Sequence, residues 1–281
     1  WGVHYAMGGT GRLVKALKKL MIEENIKIYT NSTVTKIITE NNKALGIEIN
    51  NKKRFYADKI VLNTDPAFTY KHLINSKHNK KWKSKRIDKL DFSMGLFVMY
   101  FGTKKKYKNI AHHTIWMGKR FKGLLNDIFN KKKLADDFSL YLHRPTATDI
   151  SMAPKNCDCF YVLSPVPNLI SNIKWKVVGE SYKNKIISAL DQTILPGLEK
   201  NIKTCFYMTP EDFKEDYQSL YGSGFSISPI FRQSAWFRFH NKSENFKNLY
   251  FVGSGSHPGA GVPGVLSSAK VLENILKDEI K

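Results

Sequence analysis

Cysteine is nearly absent: Cys157, Cys159 and Cys205 are the three in 281 residues. An odd number excludes a full disulfide framework, and the Cys-x-Cys pair has no partner pair to complete a zinc pattern. Long apolar runs are missing as well. No stretch reaches the ~18 residues that span a bilayer, and no secretory leader is visible, so the chain reads as cytoplasmic. There are no internal repeats, and no low-complexity segment beyond a bias toward Lys and Asn. Acidic residues are scarce, 24 against 45 Lys and Arg, for a net charge of +21. Arginine is scarce too, at positions 12, 54, 86, 120, 144, 232 and 238 only. The excess is therefore lysine, which comes with abundant Asn and Ile, as an AT-rich genome supplies without selection for charge. Runs such as Lys104-Lys105-Lys106 and Lys131-Lys132-Lys133 read as solvated loops. A nucleic-acid partner is not expected. Lysines that help docking on an anionic membrane surface are the better reading. His112 and His113 would point to opposite faces of a strand, and no metal site is expected.

What is present is enough for a substantial core, since 42% of the residues are hydrophobic and the chain has the length of one large or two smaller domains. An apolar-periodic helix (Leu13, Val14, Leu17, Leu20, Met21) follows Gly8-Gly9-Thr10-Gly11. Short strands are predicted at 27–29, 33–38, 44–49 and 54–62, separated by turns at Asn41-Asn42 and Asn50-Asn51. In the alternation of Thr33 to Ile37, Val34 points inward. From about Ser93 the character changes. Strands are predicted at 94–101, 110–117, 139–143 and 160–165, with helices at 121–129 and 182–193. A further helix starts at Thr209-Pro210-Glu211-Asp212, with Thr as N-cap, Pro at the first position and acid in the first turn. This middle block, to about Phe246, reads as an α+β domain.

The most specific segment runs from Gly253 to Gly264, Gly-Ser-Gly-Ser-His-Pro-Gly-Ala-Gly-Val-Pro-Gly. An apolar strand, 249–252, precedes it. After it come Val265, Leu266, Ala269, Leu272, Ile275, Leu276 and Ile280, one face of a 3.6-residue period. Strand, glycine turn and helix in that order gather backbone N–H groups and a positive helix end at one point. Glycines there permit close backbone approach to an electron-rich group.

Asn248 to Lys270 resembles the C-terminal signature of bacterial phytoene desaturases, with Phe251, Ser254, Ser256 and Val262 as mild departures. Gly8-Gly9-Thr10-Gly11, 137–143, 162–167 and 233–237 resemble further landmarks of that family, so the resemblance covers essentially the whole chain. It implies the architecture of a flavoprotein with two dinucleotide-binding domains, α/β and α+β in class: a partial, Rossmann-like FAD-binding domain (1–92 and 247–281) with an inserted α+β substrate domain (93–246). The strand, GxGxxG-type turn and helix that hold the FAD pyrophosphate are not found. Gly8-Gly9-Thr10-Gly11 has no strand before it, and the sequence starts with Trp. The expectation is a C-terminal fragment lacking that motif, inactive by itself.

The resemblance also implies roles. FAD would be bound through Gly253 and Ser254 near the ribityl-phosphate, Gly261 and Val262 at the pyrimidine edge, and the backbone of Val34 at the adenine. The implied partners are phytoene and its carotenoid intermediates, a membrane surface reached peripherally, and an electron acceptor such as a quinone or oxygen. Removing hydrogen from an unactivated hydrocarbon needs a hydride acceptor that no side chain provides. His257 and Asp149 are weak candidates for proton transfer, and His257 is read first as a residue that orients its loop. Trp116, Tyr141, Phe160, Tyr161, Phe225, Trp236 and Phe237 either line a polyene tunnel or pack in a core. The implied activity is desaturation of phytoene toward lycopene or a less desaturated product. The alternatives are a thirty-carbon dehydrosqualene desaturase, a carotenoid isomerase or reductase, and, from another class, a non-enzymatic basic protein that binds lipid or nucleic acid.

Overall fold

The computed structural model describes residues 4–75 and 77–279. Its strands, in chain order, are β1 Val34–Glu40, β2 Lys43–Ile49, β3 Lys53–Tyr56, β4 Ile60–Leu62, β5 Gly95–Thr103, β6 His113–Trp116, β7 Leu140–His143, β8 Asp158–Val166, β9 Ile202–Met208 and β10 Leu249–Phe251. The longer helices are α1 Thr10–Glu23, α2 Phe121–Phe129, α3 Trp175–Gln192, α4 Pro210–Tyr217 and α5 Val262–Asp278. Contacts divide the chain into two compact units. One holds the residues up to Thr30 with Leu96–Pro167 and Ser171–Thr209; the other holds Asn31–Gly95, Asn168–Ile170 and the residues from Pro210 on. The divisions at 92/93 and 246/247 expected from sequence differ from these. The residues up to Thr30 group with the middle block, and 210–246 group with the strand pair β4 and β10. Chain order hid this because the composition changes little at Thr209.

The first unit is built on a five-stranded sheet in the order β6-β7-β8-β5-β9. β5 is nearly continuous in apolar residues because it is almost fully buried, with Phe97 and Met99 at 0% exposure. Helix α3 packs its Trp175 and Tyr182 on Phe97, at ring-centroid distances of 5.8 and 5.0 Å. Tyr182 satisfies its buried hydroxyl on Ser164 Oγ at 2.7 Å. Phe160 is buried and stacked on Phe101 at 5.0 Å, which makes it a core residue. β9 was not foreseen: Ile202 to Met208 is mixed in polarity and becomes a strand by pairing with β5. The strand expected at 27–29 does not form, because Ile28 and Tyr29 stay exposed and give a ladder no face to bury. Helix α1 forms where expected but buries none of its side chains; Val14, Leu17 and Leu20 are exposed.

The second unit carries the meander β1-β2-β3 and a parallel pair, β4 with β10. Asn41 and Asn42 both take positive φ between Glu40 and Lys43, the two-residue turn whose twist suits a hairpin. Asn tolerates that region better than other side chains. The single strand expected over 54–62 is two strands. β3 pairs with β2, whereas β4, after Ala57-Asp58-Lys59, pairs with β10 almost two hundred residues away. Asn248 links the two sheets by accepting from Ala44 N–H at 2.9 Å and donating to Ala44 C=O at 2.7 Å. The core gathers Ile37, Tyr70, Trp82, Phe239, Phe246 and Phe251.

Helix α5 buries Ser268 and Leu272, while Leu266 and Ala269, expected on the apolar face, are exposed; Ile280 lies outside the described residues. The end of α5 is tied down by Glu279, which accepts from Lys242 at 2.8 Å, Tyr250 at 2.6 Å and Lys59 at 2.9 Å. Lys242 first, then Tyr250 and Lys59, hold its carboxyl at about 2 instead of 4.5. A depressed carboxyl contributes stability above its unfolded value and loses it as the pH falls through its folded value. Glu279→Gln is therefore expected to flatten the decline in urea midpoint between pH 4.5 and about 2. At neutral pH it should cost under about 1 kcal/mol, since the Lys59 and Lys242 partners are exposed to solvent. An unchanged acid slope would refute the assignment.

Candidate functional site

The parallel strands β4 and β10 end side by side, and the two chains leaving them form the site. Crevices at the carboxyl ends of parallel strands are where α/β folds take ligands. After β4 comes Asn63-Thr64-Asp65-Pro66; after β10 comes the glycine loop, with Val252 N–H donating to Leu62 C=O at 2.9 Å. Gly253 sits at φ +97, and a Cβ there would stand 2.1 Å from Asn63 Oδ1. Its N–H donates to Ser268 Oγ at 2.8 Å, which explains a polar residue on the buried face of α5. Ser254 and Gly255 help line a cavity of about 190 Å³ with Asn63, Asp65, Ser226 and Tyr217.

Gly261 is the N-cap of α5, at φ +96, with no side-chain cap. A Cβ there meets nothing within 4 Å, and the neighbouring Val262 is 57% exposed. The first turn of α5 thus presents its N–H end to open space. Val34 lies at an irregularity of the β1–β2 ladder, between positions 34 and 36, half-buried against the core. Its carbonyl accepts from Gln218 Nε2 at 3.4 Å. Bulges of this kind interrupt the ladder beside functional sites.

Sequence reasoning missed the strap that holds the loop. Arg238 is 6% exposed and donates to the carbonyls of Ser254 at 2.7 Å and Ser256 at 3.2 Å. Asn241 donates to Phe251 C=O at 3.1 Å and His257 C=O at 2.8 Å. Burial lowers the Arg238 guanidinium, while Asp65 nearby acts the other way. Burial in turn raises the Asp65 carboxyl, opposed by the Leu220 N–H, the Ser226 hydroxyl and the Ala67 N–H. The available signal was the use of Arg in a lysine-rich chain, because only its planar fork fits several fixed acceptors.

His257 is held through its carbonyl, not through its ring. The exposed ring borders a cavity of about 340 Å³ lined also by Trp236, His240 and Ile275. Asp149 belongs to the other unit and caps a short helical turn. It accepts from Gly8 N–H at 2.6 Å and from Ser151 N–H at 3.0 Å and Oγ at 2.6 Å. The Ser151 hydroxyl, then Gly8, hold it below the usual carboxylate range, so its lone pairs serve structure. The expectation that His112 and His113 diverge fails: their ring centroids are 4.5 Å apart, because His112 precedes β6 and escapes strand alternation. Burial, then the neighbouring imidazoles, lower His143 beside them to about 4.

No protein-family model matches the chain. It is 42% identical over its whole length to the neurosporene-forming phytoene desaturase of Rhodobacter capsulatus, of which it covers 55%. It is 39% identical, again throughout, to the lycopene-forming phytoene desaturase of Pantoea ananas, of which it covers 57%. Along its whole length the chain is similar to phytoene desaturases. It spans little more than half the length of these relatives. Among solved structures, an oxidoreductase from Methanosarcina mazei superposes with a TM-score of 0.60 at 21% identity, covering 95% of this chain and 55% of that one. A putrescine oxidase gives 0.59 at 10% identity, over 98% of this chain and 53% of that one. The chain thus shares a mixed α/β fold with these two structures.

Proposed function

We propose that the protein carrying this chain is an FAD-dependent phytoene desaturase, which introduces double bonds into phytoene in carotenoid biosynthesis. The observation that carries the reading is the strap-held loop that ends on Gly261 at the open start of α5. Gly253, lacking a Cβ, lets the end of β10 pass close to Asn63, and with Ser254 it would hold the ribityl-phosphate part of FAD. Gly261 and Val262 would meet the pyrimidine edge, where their N–H groups and the helix dipole favour developing negative charge. The backbone of Val34 would take the adenine. When bound, the flavin supplies the hydride acceptor that the side chains lack; a quinone or oxygen would take its electrons. Arg238 and Asn241 fix the carbonyls of the loop and so its shape. The phytoene enzymes' 39–42% identity along the whole chain favours a forty-carbon substrate over the thirty-carbon or isomerase readings.

The test is expression of the full-length protein in a host that accumulates phytoene, with carotenoids and bound flavin measured in parallel. Coloured carotenoid and stoichiometric flavin are expected. Flavin-loaded protein that leaves phytoene unchanged would refute the substrate assignment.

No helix among the described residues is long and apolar enough to cross a membrane, and phytoene is a hydrocarbon that resides in one. Peripheral docking resolves this. Phe231, Trp236 and Phe237 are 85%, 78% and 56% exposed on short turns, available to the acyl boundary, with lysines adding attraction to anionic lipid. Each large apolar side chain contributes about 1.5–3 kcal/mol on burial. The Phe231→Ser/Trp236→Ser variant is therefore expected to lose roughly 100-fold in partitioning to anionic liposomes, read by co-sedimentation. Undiminished binding of that variant would remove these aromatics from the docking surface.

A further inference from the structure

The five-stranded sheet carries a side-chain cluster that flavin chemistry does not use. His113 opens β6 and faces His143, the last residue of β7, across the antiparallel ladder. Their Nδ1 atoms are 3.5 Å apart. His112, just before β6, completes the group, with ring centroids 4.5 Å from His113 and 4.7 Å from His143. One ring nitrogen of each lies within 4.8 Å of those of the others. Thr148 Oγ1 engages His112 Nδ1 at 2.5 Å, and His112 Nε2 is buried with no hydrogen-bond partner. Tyr5 packs edge-on against His112 at 4.7 Å.

We propose that His112, His113 and His143 form a binding site for a divalent first-row transition ion, Zn²⁺ foremost. Zinc lies about 2.0–2.1 Å from each imidazole nitrogen, which in tetrahedral geometry separates the nitrogens by roughly 3.3 Å. Two of the three already stand near that spacing. Small rotations of half-buried and exposed rings bring in the third. Thr148 holds the His112 ring by Nδ1 and so leaves Nε2 as its ligating atom, the usual outer support of a metal-bound imidazole. His113 Nδ1, now 2.6 Å from Tyr141 Oη, turns from that hydroxyl to the ion. Three imidazoles with no carboxylate select zinc, nickel, copper or cobalt over magnesium and calcium, which demand oxygen ligands. A fourth position stays open to water.

The test is equilibrium dialysis of the tag-free, chelator-treated chain against ZnCl2, with metal read by mass spectrometry. One zinc ion per chain is expected, with no uptake of Mg²⁺. The Co²⁺ form should show the intense visible absorption of a four-coordinate nitrogen site. His143→Gln and His112→Gln should each weaken zinc binding at least ~10-fold, and Thr148→Val by about 10-fold through loss of the outer support. His78→Gln, in the other unit, should leave it unchanged. Circular dichroism establishes that each variant is folded. Should a histidine variant fail to fold, the Co²⁺ spectrum of the unaltered chain and Thr148→Val decide the matter. Absence of stoichiometric zinc, a six-coordinate cobalt spectrum, or binding that survives the His113→Gln/His143→Gln double change would overturn the proposal.

Discussion

Gly253→Ala is expected to destabilise the chain by roughly 2–5 kcal/mol, whereas Gly261→Glu should leave it folded and abolish desaturation in the full-length protein. Both glycines have positive φ, +97 and +96, so a Cβ costs each about 1–2 kcal/mol of backbone strain. The difference lies in what the Cβ meets. At Gly253 it stands 2.1 Å from Asn63 Oδ1, in the layer where Gly253 N–H is satisfied by Ser268. Relief would require the ends of β4 and β10 to separate, which adds overpacking of the order of 1–3 kcal/mol. At Gly261 there is open space. A carboxylate beside a helix N-terminus is normally favourable by some tenths of a kcal/mol, which offsets part of the strain. The same charge would occupy the place proposed for negative charge on the reduced flavin. Thermal melts of the chain and carotenoid formation by the full-length protein separate the two effects. A stable Gly253→Ala, or an active Gly261→Glu, would overturn the corresponding half.

Arg238→Met should cost a further-reaching 3–5 kcal/mol, on the order of three buried groups left unsatisfied at ~1–3 kcal/mol each with partial relaxation. The side chain donates to the carbonyls of Ser254 and Ser256 and, at 3.5 Å, of Ile227. Methionine keeps the volume and removes every donor. Arg238→Lys should restore only part of the loss, because one ammonium cannot span acceptors on two segments. The readout is the urea midpoint at constant m-value, with flavin content measured in the full-length protein. A Met variant within about 1 kcal/mol of the parent would show that the strap does not hold the loop.

Local signals carried far in this sequence. The strand, glycine loop and α5 were legible because each depends on neighbours within a few residues: glycines where φ is positive, Pro263 at the helix start, apolar spacing after it. Asn41-Asn42 announced its hairpin for the same reason, and α2 needed only its own periodicity. The resemblance to phytoene desaturases was carried by the stretch from Asn248 to Lys270. Wherever partners lie far apart in the chain, only the tertiary structure decided. The run over 54–62 broke in two because Ile60 to Leu62 found β10. Ser268, polar on a buried face, was chosen by the amide of Gly253, and Arg238 by carbonyls sixteen and eighteen residues away. His112 and His113 converge on His143 because a bend before β6 suspends the alternation that a strand would impose. Periodicity reports which face of an element is apolar. Which element arrives to cover that face, and which polar groups must then be satisfied, is fixed by long-range packing that no local pattern encodes.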